Sequence, residues 1–403
     1  MKFRKMEFVN TKGETLSGRI DLPLKAKPLA YVLFAHCFTC TKDLSALHNI
    51  SKALTQNGMA VFRFDFTGLG ESGGDFSETN FSSNVSDLVA AAEFMKNRFD
   101  APRILIGHSL GGAAVIRAAS KIPSAKAVAV IGSPYDPAHV KHLFEGVKNE
   151  IEEKGEADVL LEGRPFKIKK QFIDDLPGKD PAEVLSKLRK ALLVLHSPID
   201  DVVGIENAGK IFMAAKHPKS FVSLDHADHL LSDKKDSLYA GAIIAAWAGK
   251  YVDRGEAEKE PAEGVVITLT GSDGYTTDIR AGRHSLTADE PEDAGGADMG
   301  PTPYDYLLSG LGACTGMTLR MYADYKKIPL DSVTVKLNHE KIHASDCDTC
   351  ETKSGKLDVI ERVIDLEGDL SDDVKRKMLE IADKCPVHRT LHSEIVVKTR
   401  LKE

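Results

Sequence analysis

The segment Gly107-His108-Ser109-Leu110-Gly111 has the G-x-S-x-G spacing, in which small residues let a serine occupy a sharp turn between a strand and a helix. The flanking residues fit that context: "RILIGH" before it is an apolar run, and "GGAAVIRAASKI" after it is helix-forming. Such a turn lifts the hydroxyl above a sheet edge, with a helix N-terminus beside it to favour negative charge. A serine needs a base to take its proton and an acid to orient that base. Two later segments, each directly after an apolar run, supply these in order. "LHSPIDDVV" offers Asp200 and Asp201, and "LDHADHLL" offers His226 and His229. The chemistry implied is acyl transfer to water through an acyl-serine; spacing alone leaves the choice within each pair open.

Thiols form the second set of reactive candidates. The six cysteines are too sparse for a secreted disulfide framework. Cys37 and Cys40 form one C-x-x-C, and in a reducing compartment they are expected to be small residues packing a tight loop, with a redox pair as the alternative. Cys347 and Cys350 form another, near His343, but lack the second ligand pair of a zinc site and read as a hairpin of thiols without metal. Cys314 lies in the helical stretch "TPYDYLLSGLGACTGMTLRMYADY", where Leu307, Leu311, Cys314, Thr318 and Met321 recur at steps of three and four and predict a buried face. Cys385 ends a helix with Val374, Met378 and Ile381 on one face. Pro386 follows it, which makes Cys385 the N-cap of a new turn, where free N–H groups stabilise a thiolate. Thiols on two buried helices can pair across a helix contact.

Positioning these groups requires two different architectures. From Leu29 onward, strands and helices alternate: "LAYVLFAH", "MAVFRFDF", "RILIGH", "AVAVIGS", "ALLVLHS" and "SFVSLD" are short and nearly all apolar, which predicts a mostly parallel sheet covered on both faces. "MEFVN" and "TLSGRIDLP" read as an antiparallel lead-in pair. Residues 134–187 interrupt the rhythm with a polar helix and a hairpin, read as a cap over a cleft. Residues 253–264, "DRGEAEKEPAEG", form a solvated linker. Beyond it, strands "VVITLT", "YTTDIRAG", "SVTVKLNHEKI", "VIERVIDLEG" and "EIVVKTRL" with two long helices predict an α+β domain. The expected division is 1–252, a linker at 253–264, and 265–403.

The net charge of −7 and the lack of a basic run argue against nucleic acid as a partner. No run of eighteen apolar residues occurs, and "MKFRKMEFVN" has no apolar stretch behind its charges, so no membrane partner and a cytoplasmic location are expected.

Residues 25–252 resemble the α/β-hydrolase family, in its small esterase and dienelactone-hydrolase-like branch. "GHSLG", "DFTGLGES", "HSPIDDVV" and "ADHLL" carry the likeness. It implies Ser109 as nucleophile, selects Asp200 and His229 as acid and base, and gives backbone N–H groups of Phe38 and Leu110 as oxyanion donors. It calls for no cofactor. Many relatives have glycine where Cys37 stands, and His36 reads as a loop-stabilising residue. Residues 265–403 resemble the OsmC/Ohr family of thiol peroxidases, through "LLSGLGACTGMT" and "DKCPVHRT". That likeness implies attack on an organic hydroperoxide by Cys314, resolution by Cys385, a dithiol reductant and a homodimer. It also implies a glutamate ten residues before the first cysteine, where this chain has Tyr304 followed by Asp305, and an arginine for which Arg283, Arg320 and Arg389 are candidates. A serine esterase acting on small acyl esters, joined to an OsmC-like domain with thiol peroxidase chemistry, is the leading expectation. A non-catalytic dimerisation scaffold is the alternative for the second domain.

Overall fold

A computed structural model of the protein describes residues 2–23, 28–161, 164–176, 178, 180–252, 265–270, 274–282, 284–343 and 356–401. The chain divides into two compact units, Met1–Ser272 with Thr277–Leu286, and Asp273–Thr276 with Thr287–Glu403. The segment read as a linker and the Cys347/Cys350 pair lie outside the described residues.

In the first unit the elements run β1 (Lys2–Val9), β2 (Thr15–Leu22), β3 (Ala30–Ala35), α1 (Ser45–Gln56), β4 (Met59–Phe64), α2 (Phe81–Arg98), β5 (Ile104–His108), α3 (Leu110–Ala118) and β6 (Ala127–Ile131). An insertion follows: a 3-10 stretch at Pro137–Val147, α4 (Lys148–Lys154), the hairpin β7 (Glu156–Leu161) and β8 (Arg164–Lys169), α5 (Lys170–Asp175) and α6 (Pro181–Ser186). Then come β9 (Ala191–His196), α7 (Glu206–Ala214), β10 (Lys219–Ser223) and α8 (Lys234–Ala248). Eight strands form one sheet in the order β1-β2-β4-β3-β5-β6-β9-β10. β1 and β2 are antiparallel, as expected of the lead-in pair, and β2 meets β4 antiparallel; the other pairings are parallel. The polar helix expected in the insertion is split, because its first half winds as 3-10 turns and only Lys148–Lys154 is α-helical.

Alternation along the strands places two cores on opposite sheet faces. Leu33 and Ala35 of β3 join one, with Leu88 and Met95 of α2 and Val115 of α3. Val32 and Phe34 join the other, with Leu47 and Ile50 of α1 and Ile244 of α8. The chain leaves β3 toward β4 on one side and returns to β5 on the other. Loops after β3 and β5 therefore diverge across a switch point, where open α/β sheets bind ligands beyond the strand C-termini.

The remaining elements are β11 (Val266–Thr270), β12 (Thr277–Ala281), β13 (His284–Ala288), α9 (Pro303–Lys326), β14 (Leu330–His343), β15 (Lys356–Gly368), α10 (Asp372–Ala382) and α11 (Pro386–Leu391). β14 and β15 form a long antiparallel hairpin, and Leu319, Ala323, Leu330, Met378 and Ala382 make a small core. Two expectations are corrected. The buried face of α9 is Leu311, Thr315, Leu319 and Ala323, whereas Leu307 and Met321 are exposed and Cys314 and Thr318 only half-buried. The helix carries apolar residues on more than one stripe, and the core selects the row with strict i, i+4 spacing. The segment "EIVVKTRL" forms no strand with the described residues, and Val396 is 70% exposed, since a ladder needs a neighbouring edge to pair with. No described helix is long and apolar enough to cross a membrane.

Candidate active site

Ser109 follows β5 directly, with φ 54° and ψ −128°, the left-handed region that a non-glycine residue occupies only under constraint. Its N–H is held by Ile131 O at 2.8 Å. The turn closes because Gly111 has no side chain: a Cβ there would lie 2.3 Å from His36 O and 2.8 Å from Ala35 O. Gly111→Ala must push α3 away from the loop after β3. It is expected to cost about 1–3 kcal/mol of stability, read by urea denaturation, and to lower activity with it. An alanine variant as stable and active as the parent would contradict this packing.

The two loops named from sequence meet at that serine. His229 Nε2 lies 2.9 Å from Ser109 Oγ, and His229 Nδ1 lies 2.8 Å from Asp200 Oδ2. A carboxylate only accepts, so Nδ1 carries the proton and Nε2 is free to accept from the serine hydroxyl. The other carboxylate oxygen, Oδ1, accepts from the N–H groups of Val202 (3.0 Å) and Val203 (2.8 Å). Burial works to raise the Asp200 pKa, but the His229 contact and these N–H groups outweigh it and hold the carboxyl below its ordinary value. All three side chains are buried, whereas Asp201 and His226 are exposed. Leu110 is the first residue of α3, so its N–H has no intrahelical acceptor and remains available beside the serine.

The loop after β3, which carries Phe38, is restrained from several sides. His36 accepts from Phe66 N–H at Nε2 and donates from Nδ1 to Cys37 O (2.7 Å), the structural part expected of it. Lys42, 1% exposed on its side chain, donates from Nζ to Asp65 (2.6 Å) and Glu71 (2.8 Å), and its N–H donates to Asp65 Oδ1 at 2.7 Å. Cys37 and Cys40 are joined by a disulfide, which corrects the reading of them as two small packing residues. Their burial was legible from the sequence; the bond depends on the loop bringing their Cα atoms to 5.3 Å. The Phe38 ring packs against Phe172 of the insertion (5.1 Å between centroids) and against Phe76 ahead of α2 (5.5 Å), so aromatic side chains from both segments roof this loop.

In the second unit Cys314 and Cys385 are brought together. Cys385 caps α11, accepting at Sγ from His388 N–H (3.3 Å) and Thr315 Oγ1 (3.7 Å), with Pro386 at the first helical position as expected. Burial works to raise its pKa, yet the bonds from His388 N–H, the Cys314 thiol, Thr315 and Val387 N–H hold it below the usual thiol value. Sequence reasoning missed Arg362 of β15, which donates to Thr315 Oγ1 (3.1 Å) and pairs with Asp383 (2.6 Å). Of the three arginines proposed, Arg320 is bound to the carbonyls of Leu330 and Asp331, and Arg283 lies outside the described residues. For Arg389 the backbone N–H donates to Cys385 O at 3.1 Å. Tyr304 stacks on His339 with centroids 4.4 Å apart, and Asp305 is consumed in a capping box with Thr302.

Comparison with known proteins matches the two parts of the chain to different families. Residues 26–151 match the family model "Serine aminopeptidase, S33", and residues 295–400 match "OsmC-like protein". The esterase domain of a Rhodothermus marinus protein is 50% identical, covering 62% of this chain and 100% of that one, with a TM-score of 0.53. Est1E from Butyrivibrio proteoclasticus, solved with ferulic acid bound, shares the fold at 19% identity and a TM-score of 0.51, over 61% of this chain and 99% of that one. The human mitochondrial palmitoyl-protein thioesterase ABHD10 is 28% identical over 204 residues, which span 49% of this chain but only 64% of that protein. The chain belongs to the α/β-hydrolase family, as an esterase- or thioesterase-like member joined to an OsmC-like domain.

Proposed function

We propose that the first domain, residues 1–252 with a cap at 134–187, hydrolyses small carboxylic esters or thioesters through an acyl-serine. The observation that carries this is the unbroken relay from Ser109 through His229 to Asp200 at 2.9 and 2.8 Å, on a strained turn. Ser109 Oγ attacks the acyl carbon as His229 Nε2 takes its proton, and Asp200 stabilises the resulting imidazolium. The N–H groups of Leu110 and Phe38 receive the negative oxygen. His229 then protonates the leaving alcohol or thiol, and water reverses the sequence to free the acid. The aromatic roof around Phe38 favours short or aromatic acyl groups, a preference supported by the ferulic acid bound to Est1E. A serine-directed phosphonate ester is expected to label Ser109 stoichiometrically and to abolish turnover of p-nitrophenyl esters. Full turnover with Ser109 labelled would refute the reading.

A second activity is proposed for the OsmC-like domain, favoured by the hydrogen-bonded Cys314–Cys385 pair. Cys314 is half-exposed and Cys385 fully buried, so a peroxide reaches Cys314. Its sulfur takes the terminal peroxide oxygen and its proton passes to the departing alkoxide, giving a sulfenic acid and an alcohol. Cys385 then displaces water to form a disulfide, and a dithiol reductant restores both thiols. The exposed side chains Met317, Met321 and Tyr325 on α9 support a homodimer through this domain. Cys314→Ser should remove dithiol-dependent loss of an organic hydroperoxide and leave ester turnover intact. A wild-type chain that consumes no hydroperoxide would leave the domain as a scaffold.

A further inference from the structure

β5 and β9 each end on a histidine, and both side chains are buried beneath the serine site: His108 is 1% exposed and His196 0%. Each turns Nε2 to a main-chain carbonyl in a loop that carries part of the relay. His108 Nε2 lies 2.7 Å from the carbonyl oxygen of His229 itself. His196 Nε2 lies 2.6 Å from Val203 O, in the residue whose N–H holds Asp200. Carbonyls only accept, so Nε2 carries the proton in both rings. In both, Nδ1 is buried and has no hydrogen-bond partner among the described residues. A second proton at Nδ1 would put a charged, unsatisfied N–H in the interior, which is costly. Burial accordingly drives the His108 pKa down to about 3, with nearby His229 adding to it, and burial also lowers that of His196. His108 is therefore a neutral donor of fixed tautomer across the working pH range, and burial favours the same neutral form in His196.

A residue needed only to fill volume at these positions would be apolar, because a buried nitrogen without a partner is a liability. Two histidines at equivalent strand ends, each accepting that cost to bind a loop carbonyl, indicate that the donated hydrogen bond is what the position requires. We propose that His108 and His196 are a matched pair of positioning residues: their N–H groups clamp the His229 and Val203 carbonyls and hold the base and acid loops in register over Ser109. The inference rests on the serine reading given above. The neutrality of the clamp also matters to the chemistry. The rings of His108 and His229 are 5.2 Å apart, and a charged His108 would oppose the imidazolium that forms on His229.

The test compares His108→Phe and His196→Phe, which keep ring volume and lose the donor, with His108→Gln and His196→Gln, whose side-chain amide can restore it. On a p-nitrophenyl ester each Phe variant is expected to lower kcat by about 10²-fold, the cost of a small misplacement of reacting groups, with KM and melting temperature unchanged. The Gln variants should recover most of that loss. The far-downfield proton of His229 Nδ1–H bound to Asp200 should broaden in the Phe variants and return in the Gln variants. Phe variants with wild-type kcat would overturn the clamp, and so would a kcat that falls together with melting temperature and is not restored by Gln. Ser109→Ala is read on the same ester. Turnover persisting there would sink the serine reading, whereas its loss alongside fully active Phe variants would sink the clamp alone.

Discussion

His229→Ala is expected to lower kcat for ester hydrolysis by about 10⁶-fold, and Ser109→Ala by the same order, with the double variant no worse than either. The reason is that the three side chains act as one unit: the base is useful only while the serine proton is within its reach, here 2.9 Å. Asp200→Asn should cost less, about 10⁴-fold, because an amide can still occupy the site at 2.8 Å from Nδ1 but favours the wrong imidazole tautomer. The residue in each pair that the structure leaves exposed is the internal control. His226→Ala and Asp201→Asn should retain parental kcat, since neither side chain is buried at the relay. Steady-state kinetics on one p-nitrophenyl ester reads all six variants. A His226→Ala variant that loses activity while His229→Ala keeps it would invert the assignment of the base.

The serine and the two loops that meet it were legible because their signals are local, whereas the choice of Asp200 over Asp201 and of His229 over His226 came from the family resemblance. Each residue sits a fixed few positions beyond an apolar strand, and the alternation of strands and helices forces those strand ends to one edge of a parallel sheet. What surrounds the relay was not legible. His108 and His229 are 121 positions apart, and nothing near either one announces a bond that depends on β5, β6 and β9 lying side by side. Arg362 was missed for the same reason: it stands in an alternating strand pattern as an ordinary polar position, and only the placement of α9 over the β14–β15 hairpin turns it toward Thr315. In the second unit the errors have another source. Periodicity on α9 finds apolar rows without saying which row one copy of the chain buries, and the strand pattern at residues 394–401 finds a segment able to pair without supplying an edge.

The support beneath the Phe38 loop carries the largest expected effect on stability. Lys42 is buried with its ammonium between Asp65, itself fully buried, and the exposed Glu71. Burial works to lower the Lys42 pKa, but the bonds to Asp65 and Glu71 prevail and raise it. A buried ion pair is weak evidence of net stabilisation, yet removing one partner strands the other, so Lys42→Met is expected to cost about 3–5 kcal/mol. The methionine fills the space of the lysine stem, which leaves the unpaired Asp65 carboxylate as the principal cause. Glu71→Gln should cost far less, because water still reaches that side chain. The pH dependence has a defined sign: a raised lysine pKa stabilises the fold fully below about pH 10, the ordinary lysine value, and the gain fades as pH climbs through the higher folded value. Urea denaturation of both variants measures the difference. The same loop presents the Phe38 N–H, and Lys42 also binds it through its own N–H to Asp65 and through its carbonyl, which accepts from Arg63. Lys42→Met should therefore lower kcat as well as stability, while Glu71→Gln lowers neither by much. A Lys42→Met protein with parental stability would mean that the ion pair adds nothing to the fold and that the loop is held by its backbone bonds alone.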